Sequence, residues 1–243
     1  MSASADIFSF RFFQRGCVLL GALGLLVFGG CASVSVRSVD VEKPPVRQPA
    51  AIAVVPFTFA AGEIDVDREG DALKEFEAEF SGYFAEVLAE RLSRFVAPAQ
   101  VVEKRPDRPA AGTWIVEGEF TRIEQGSRLL RASVGLGLGG TKLETRSVVS
   151  VVQANRKFAP FLKIETTGGT NAEPGGLVGP LFTIPLRIAT QASSGLNRDA
   201  TRTARMITAA VQSESRQRGL NPAGRPIRPK PLGRLPIGTS GSE

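Results

Sequence analysis

The sequence predicts an α+β domain in two layers, in which a mixed, largely antiparallel sheet carries helices packed on one face. Three observations support this fold class. Apolar residues recur at steps of three and four over residues 71–95 and 198–218, which is typical of amphipathic helices. Residues 113–124 and 142–154 alternate between apolar and polar side chains, which predicts strands. Turn residues between strands, such as Gly126, favour an antiparallel meander.

The remaining elements follow in order along the chain. An apolar run over residues 51–59 predicts a first buried strand, and Pro56 within it indicates an edge or a bulge. The first helix ends with Arg91 and Arg94, as the helix dipole favours. Further strands are predicted over residues 99–103, 113–124, 128–138, 142–154 and 158–168.

The second helix follows a glycine-rich loop over residues 168–180 and a segment, 181–192, that fits a strand or a helix. Asn197 is predicted to cap this helix, and Gly219 to end it. Its apolar stripe consists of small side chains, which are Ala200, Ala204, Ile207 and Val211.

Residues 1–30 have the layout of a secretory signal peptide, with basic residues before an apolar run over residues 18–28. This run is shorter than the ~20 residues that span a bilayer. Two glycines then precede Cys31, an ending that resembles the lipobox of bacterial lipoproteins. The resemblance implies that Cys31 carries lipid, and Ala32 after it favours the outer membrane, with the protein facing the periplasm. The alternative is ordinary cleavage near Ala32, which discards Cys31.

These segments define the expected domain organisation. We expect a lipidated tether over residues 31–50, a single α/β envelope domain over residues 51–219, and a disordered Pro/Gly/Arg tail over residues 220–243. The tail carries six cations against Glu243 alone from Arg216 onward, so it is either a basic arm that touches an anionic envelope surface or a merely solvated tail.

Composition excludes several function classes. The chain has two cysteines and no histidine, so a mature chain with lipid on Cys31 keeps no thiol or imidazole for catalysis or metal binding. The formal charge is +6, and removing Arg11, Arg15 and Asp6 leaves 28 basic and 23 acidic residues, or +5. We expect anionic lipid, lipopolysaccharide or cell-wall polymer as partners of this charge. Nucleic acid is not expected, because no aromatic residues interleave with the arginines.

The stretch GLGLGG, residues 135–140, fits the spacing of a dinucleotide-binding loop. Such a loop precedes a helix, with an acidic residue about 20 positions on. Here the following residues predict a strand, and Ala159 and Pro160 stand where the acid is needed. We therefore expect no cofactor. The alternating glycines leave one strand face nearly bare, which favours close packing of a neighbour.

The stretch from Val116 to Glu144 resembles a family of bacterial secreted lipoproteins known as domain-of-unknown-function family 4410. The matching positions are Gly118, Gly126, Arg131, Gly135, Gly137, Gly139 and Gly140. The resemblance implies an α/β fold like that of periplasmic domains of other envelope lipoproteins, and a binding or assembly-support role without catalysis.

An enzyme is the alternative function. Glu117 and Glu119 lie two apart on one predicted strand, so their side chains share a face about 6.6 Å apart. This spacing is within the range of an inverting glycosidase pair, and predicts a cell-wall glycan hydrolase. Alternating glutamates on an antiparallel strand are more often a solvated face, so we predict no catalytic residues and a single modification site, Cys31.

Overall fold

The computed structural model describes residues 33–42, 47–60, 64–126, 141–170 and 194–231. They form the strands β1 (Ser33–Val41), β2 (Ile52–Val54), β3 (Thr58–Phe59), β4 (Ile64–Asp65), β5 (Ala99–Val101), β6 (Trp114–Glu124), β7 (Thr141–Val152) and β8 (Phe158–Thr170), and the helices α1 (Gly70–Phe95) and α2 (Ser194–Gln217).

The eight strands make one mixed sheet in the order β1-β8-β7-β6-β2-β5. The pairs β1–β8, β8–β7 and β7–β6 are antiparallel, whereas β2 is parallel to both β5 and β6. The short strands β3 and β4 follow β2 along the same edge of β6. The break between β2 and β3 contains Pro56, which has no N–H to donate to a neighbour. The predicted α+β class is confirmed.

The predicted meander is present for β7 and β8, but its predicted order is wrong at the first step: β6 pairs directly with β7, so no strand lies between them where residues 128–138 were expected. The strand predicted over residues 128–138 and the segment 181–192 lie outside the described residues. The strand predicted after Gly140 is present as β7, so the glycine run is not followed by the helix that a dinucleotide loop requires.

Helix α1 buries the aromatic stripe that its sequence predicts. Phe76, Phe80, Phe84, Leu88 and Leu92 are buried against the sheet. The ring centroid of Phe84 lies 5.2 Å from that of Phe120 on β6 and 4.9 Å from that of Phe57. These edge-to-face contacts make α1 and β6 the centre of the core.

Helix α2 packs beside α1 and over β1, β7 and β8. The small side chains of its predicted stripe are buried, which lets its backbone approach the sheet closely. The helix begins at Ser194, so the predicted cap at Asn197 is wrong. Asn197 already lies within the first turn, where its carbonyl oxygen accepts a 2.9 Å hydrogen bond from Thr201 Oγ1. Gly219 has φ of 75°, as predicted for a residue that ends a helix.

The predicted tether is wrong for residues 33–41, which form the edge strand β1. Val34 and Val36 are buried, and β1 pairs with β8 along its length. The physical reason is the alternation of valine with polar residues in SVSVRSVDV, which matches the two faces of a strand. A Cβ atom on Gly168 of β8 would lie 2.5 Å from Val34 Cγ2, so glycine permits this close pairing.

The prediction of a disordered tail is also wrong for residues 220–231, which we call the C-terminal arm. The buried side chain of Gln212 on α2 holds it: Nε2 donates to the carbonyl oxygens of Ala223 and Arg225, and Oε1 accepts from the Ile227 N–H at 2.7 Å. The arm then reaches β1, where the Val36 N–H donates to Lys230 O at 2.7 Å. Residues 232–243 lie outside the described part of the chain.

Gly118 on β6 offers a test of this packing. A Cβ atom there would meet the backbone oxygen of Arg146 and lie 2.7 Å from the Phe57 ring. Gly118→Ala should therefore lower the free energy of unfolding by roughly 1–3 kcal/mol, as overpacking does. Gly82→Ala in α1 is the control: apart from the adjacent backbone of its own helix, no atom lies within 4 Å of its added Cβ. Alanine there should stabilise the helix by about 0.5–1 kcal/mol. Urea denaturation measures both, and equal effects of the two variants would contradict the packing.

Candidate functional site

The face of the sheet opposite the helices, which we call the open face, carries charged side chains. Glu117 and Glu119 of β6 lie on it, as their spacing predicts, beside Arg146 of β7 and Lys163 and Glu165 of β8. Opposite charges alternate across the strands, which stabilises cross-strand pairs. The open face therefore contains both carboxylates of the glycosidase pair that the sequence suggests.

Glu119 belongs to a row of three charges that crosses three strands. Arg146 Nη1 lies 2.7 Å from Glu119 Oε1, and Arg146 Nε lies 3.1 Å from Glu165 Oε1. The hydrogen bond to Glu165 and its charge raise the pKa of the Arg146 guanidinium. Burial opposes this increase, and the charge of Glu119 and its hydrogen bond add smaller increases to the pKa. The guanidinium stays charged and holds both carboxylates.

Glu117 is paired with a different arginine. Arg105 Nε donates to Glu117 Oε2 at 3.0 Å, and the guanidinium carbon of Arg105 lies 4.5 Å from the centre of the Phe158 ring. Glu117 therefore has an arginine partner, as Glu119 does. An inverting pair needs two unlike environments, one for the acid and one for the base. Both glutamates here have the same kind of environment, which does not favour the hydrolase.

Glu144 on β7 ties the edge strand to the middle of the sheet. Its Oε1 atom lies 2.9 Å from Arg37 Nη2 on β1 and 3.2 Å from Lys142 Nζ, and accepts a 2.7 Å hydrogen bond from Thr167 Oγ1 on β8. Arg37 stands where the β1–β8 register shifts, so its side chain reaches across β8. Burial would raise the pKa of the Glu144 carboxyl. The hydrogen bonds from Thr167 and Lys142 and the charges of Arg37 and Lys142 outweigh it and hold the pKa below its usual range.

The helix layer distributes charge differently, because acidic and basic residues lie on separate helices. The outer side of α1 exposes the glutamates Glu75, Glu79, Glu86 and Glu90. The outer side of α2 and the C-terminal arm exposes Arg205, Arg216, Arg225, Arg228 and Lys230. No salt bridge joins these five cations to another described residue.

The pKa of Arg91 on α1 is lowered by burial and, in part, by the charge of Arg205 on α2. Burial lowers the pKa of its guanidinium, and the like charges of Arg205 and then Arg94 lower it further, while Glu90 opposes them. The basic side of α2 therefore reaches the end of α1. Sequence reasoning assigned the basic surface to the tail alone, because an arginine-bearing helix face is ordinarily only solvated.

The predicted lipidation site and the glycine run are not among the residues that the structure describes. Cys31 lies outside the described residues, two positions before β1 begins, and the glycines 135–140 also lie outside them. Within the described ranges, no group of three or more Asp, Glu, Cys or His side chains could hold a metal ion. Neither described helix is long and apolar enough to cross a membrane.

Residues 52–175 match the family described as "Domain of unknown function (DUF4410)". The match covers just over half of the 243 residues. The chain belongs to this family. No curated protein matches the chain.

The family match begins at the first residue of β2 and ends beyond β8, so β1, α2 and the C-terminal arm lie outside it. Yet α2 and β1 supply buried residues of the same core, including Val34, Ile207 and Val211, so the folded unit is larger than the matched segment.

Glu144 provides a pH test of the sheet. Its folded-state pKa is lowered, so its contribution to stability is present above the unfolded-state value of about 4.3 and is lost as the pH falls through the folded-state pKa. Glu144→Gln should reduce the free energy of unfolding by roughly 1–3 kcal/mol at pH 7. The difference from wild type should shrink below about pH 4.

Glu42→Gln is the control for Glu144→Gln, because Glu42 pairs with Lys163 at a half-exposed position. Exposed pairs contribute at most about 1 kcal/mol. Urea denaturation at several pH values gives the comparison. A Glu144→Gln deficit that is the same at low and neutral pH would contradict the assignment.

Proposed function

We propose that this chain is a lipid-anchored protein of the bacterial cell envelope that binds a partner or supports assembly and catalyses no reaction. One observation carries the proposal. The predicted lipid-bearing residue, Cys31, is followed after only Ala32 by the first residue of the folded sheet, Ser33. The signal-like segment thus ends where the folded domain begins.

This spacing bears on how an anchor would act. A residue extends the chain by at most about 3.6 Å, so the Cα atoms of Cys31 and Ser33 are within about 7 Å of each other. A lipid on Cys31 therefore ties the first residue of β1 closely to the membrane surface, without the long spacer that the sequence suggests. By the residue that follows the cysteine, the membrane is the outer membrane and the domain faces the periplasm.

The contacts of the open face support binding over catalysis. Glu117 and Glu119 each form an ion pair with an arginine, so both carboxylates are engaged in contacts within the protein. Five exposed cations, Arg205, Arg216, Arg225, Arg228 and Lys230, instead form no salt bridge with another described residue. An envelope protein or an anionic envelope surface is therefore the partner class that we infer, with no nucleic acid and no cofactor.

The anchor is tested by labelling with a clickable fatty acid in a bacterial host that processes lipoproteins. Wild type should incorporate label and sediment with membranes, whereas Cys31→Ser should lose the label and be largely released. Cys17→Ser is the matched control, because Cys17 lies within the predicted signal segment and should label like wild type. Equal labelling of Cys31→Ser and wild type would refute the anchor.

A further inference from the structure

The exposed cations of α2 and the C-terminal arm lie together on one side of the domain, which we call the α2–arm face. Arg205 and Arg216 are eleven residues apart, three helical turns, and so project in the same direction. Arg216 Nη2 donates to Gly224 O at 3.2 Å, which joins the end of α2 to the arm. The arm continues through Arg225 and Arg228 to Lys230.

This face adjoins the strand that a lipid on Cys31 would hold at the membrane. Helix α2 packs against β1, whereas α1 packs over β2 and β5. The backbone of Lys230 is hydrogen-bonded to Val36 of β1, and Arg218 at the end of α2 donates to the carbonyl oxygen of Glu42, just beyond β1. The arm thus contacts the middle of β1, and the end of α2 contacts the residue just beyond β1, whereas the exposed glutamates lie on α1.

We propose that the α2–arm face docks on the anionic phospholipid headgroups of the membrane that holds the Cys31 lipid. The proposal rests on the proposed function, because the anchor selects this membrane as the occupant. Arginine forks match phosphate oxygens in a bidentate geometry. A helix of 24 residues is about 36 Å long, which spans several headgroups. The exposed glutamates of α1 disfavour docking through that helix, because like charges repel at an anionic surface.

The docking also accounts for the arrangement of the two faces. On the open face, carboxylates neutralise the arginines, so that face offers little net charge to a membrane. On the α2–arm face, Arg205, Arg216, Arg225, Arg228 and Lys230 form no salt bridge with a carboxylate of the described residues.

The experiment uses the mature chain, residues 31–243, with Cys31→Ser, because all described elements lie within it. Binding is measured by co-sedimentation with vesicles of about 30 mol% phosphatidylglycerol in phosphatidylcholine, with pure phosphatidylcholine as reference. Wild type should bind only the anionic vesicles, and about 0.5 M salt should abolish the binding.

A charge-neutral triple variant, Arg205→Gln with Arg225→Gln and Arg228→Gln, should bind roughly 10- to 100-fold more weakly, since each basic residue contributes up to about fivefold. The matched control removes the same charge from exposed loops, by Lys104→Gln, Arg108→Gln and Arg156→Gln. It should bind like wild type within about threefold. Amide hydrogen exchange can be measured on the same protein without the triple substitutions. Anionic vesicles should slow exchange in the arm and α2.

Four results would overturn the proposal: no dependence on phosphatidylglycerol, equal weakening by both triple variants, exchange protection on other elements only, or binding to isolated cell wall in place of vesicles. The proposed anchor fails separately. If wild type incorporates no fatty acid but the mature chain binds anionic vesicles, the anchor is refuted and the docking face is retained. Labelling without phosphatidylglycerol dependence would do the reverse.

Discussion

The buried side chain of Gln212 joins parts of the chain that the sheet alone leaves separate. Its Nε2 group donates to Phe95 O at the end of α1, at 2.8 Å, and to two carbonyl oxygens of the C-terminal arm, while Oε1 accepts from the arm at Ile227. A buried amide left without partners costs about 1–3 kcal/mol per group, so these bonds select one position for the arm. Both helices and the arm are therefore fixed relative to one another.

The position of the arm affects two features: the exposed backbone of the edge strand β1 and the basic surface beside α2. Edge strands present unpaired backbone groups, and covering them prevents association with other chains. The arm satisfies the Val36 N–H of β1 through Lys230 O. The same contacts hold Arg225 and Arg228 beside α2, so a segment rich in proline and arginine becomes part of a defined basic surface.

The sequence predicted those elements whose signal is local. The period of α1 and the alternation of β6 and β7 specify which side is buried, because a helix and a strand each impose their own spacing. The arm was missed because its order comes from Gln212, whose partner Ile227 is fifteen residues away and leaves no periodic pattern. Strand β1 does alternate, but the proline-rich residues after it favoured a tether.

The candidate site shows the same division. The shared face of Glu117 and Glu119 follows from strand geometry, and their arginine partners come from another strand and a loop. Likewise, Arg37 and Glu144 are 107 positions apart, and only the strand order β1-β8-β7 brings them together. The family match covers the open face but not α2 or the arm, so the proposed docking surface belongs to the part of the fold that membership in the family does not describe.

The most direct test of this account is hydrogen exchange of the arm in Gln212→Glu, which puts a carboxylate oxygen where Nε2 faces three carbonyl oxygens. The amides of Ala223, Ile227 and Lys230 each donate a bond in the folded arm. We predict that the variant loses protection at these amides while α1 and β6 keep theirs. Gln217→Ala, at an exposed position on the same helix, should exchange like wild type. Unchanged protection of the arm in Gln212→Glu would contradict the account.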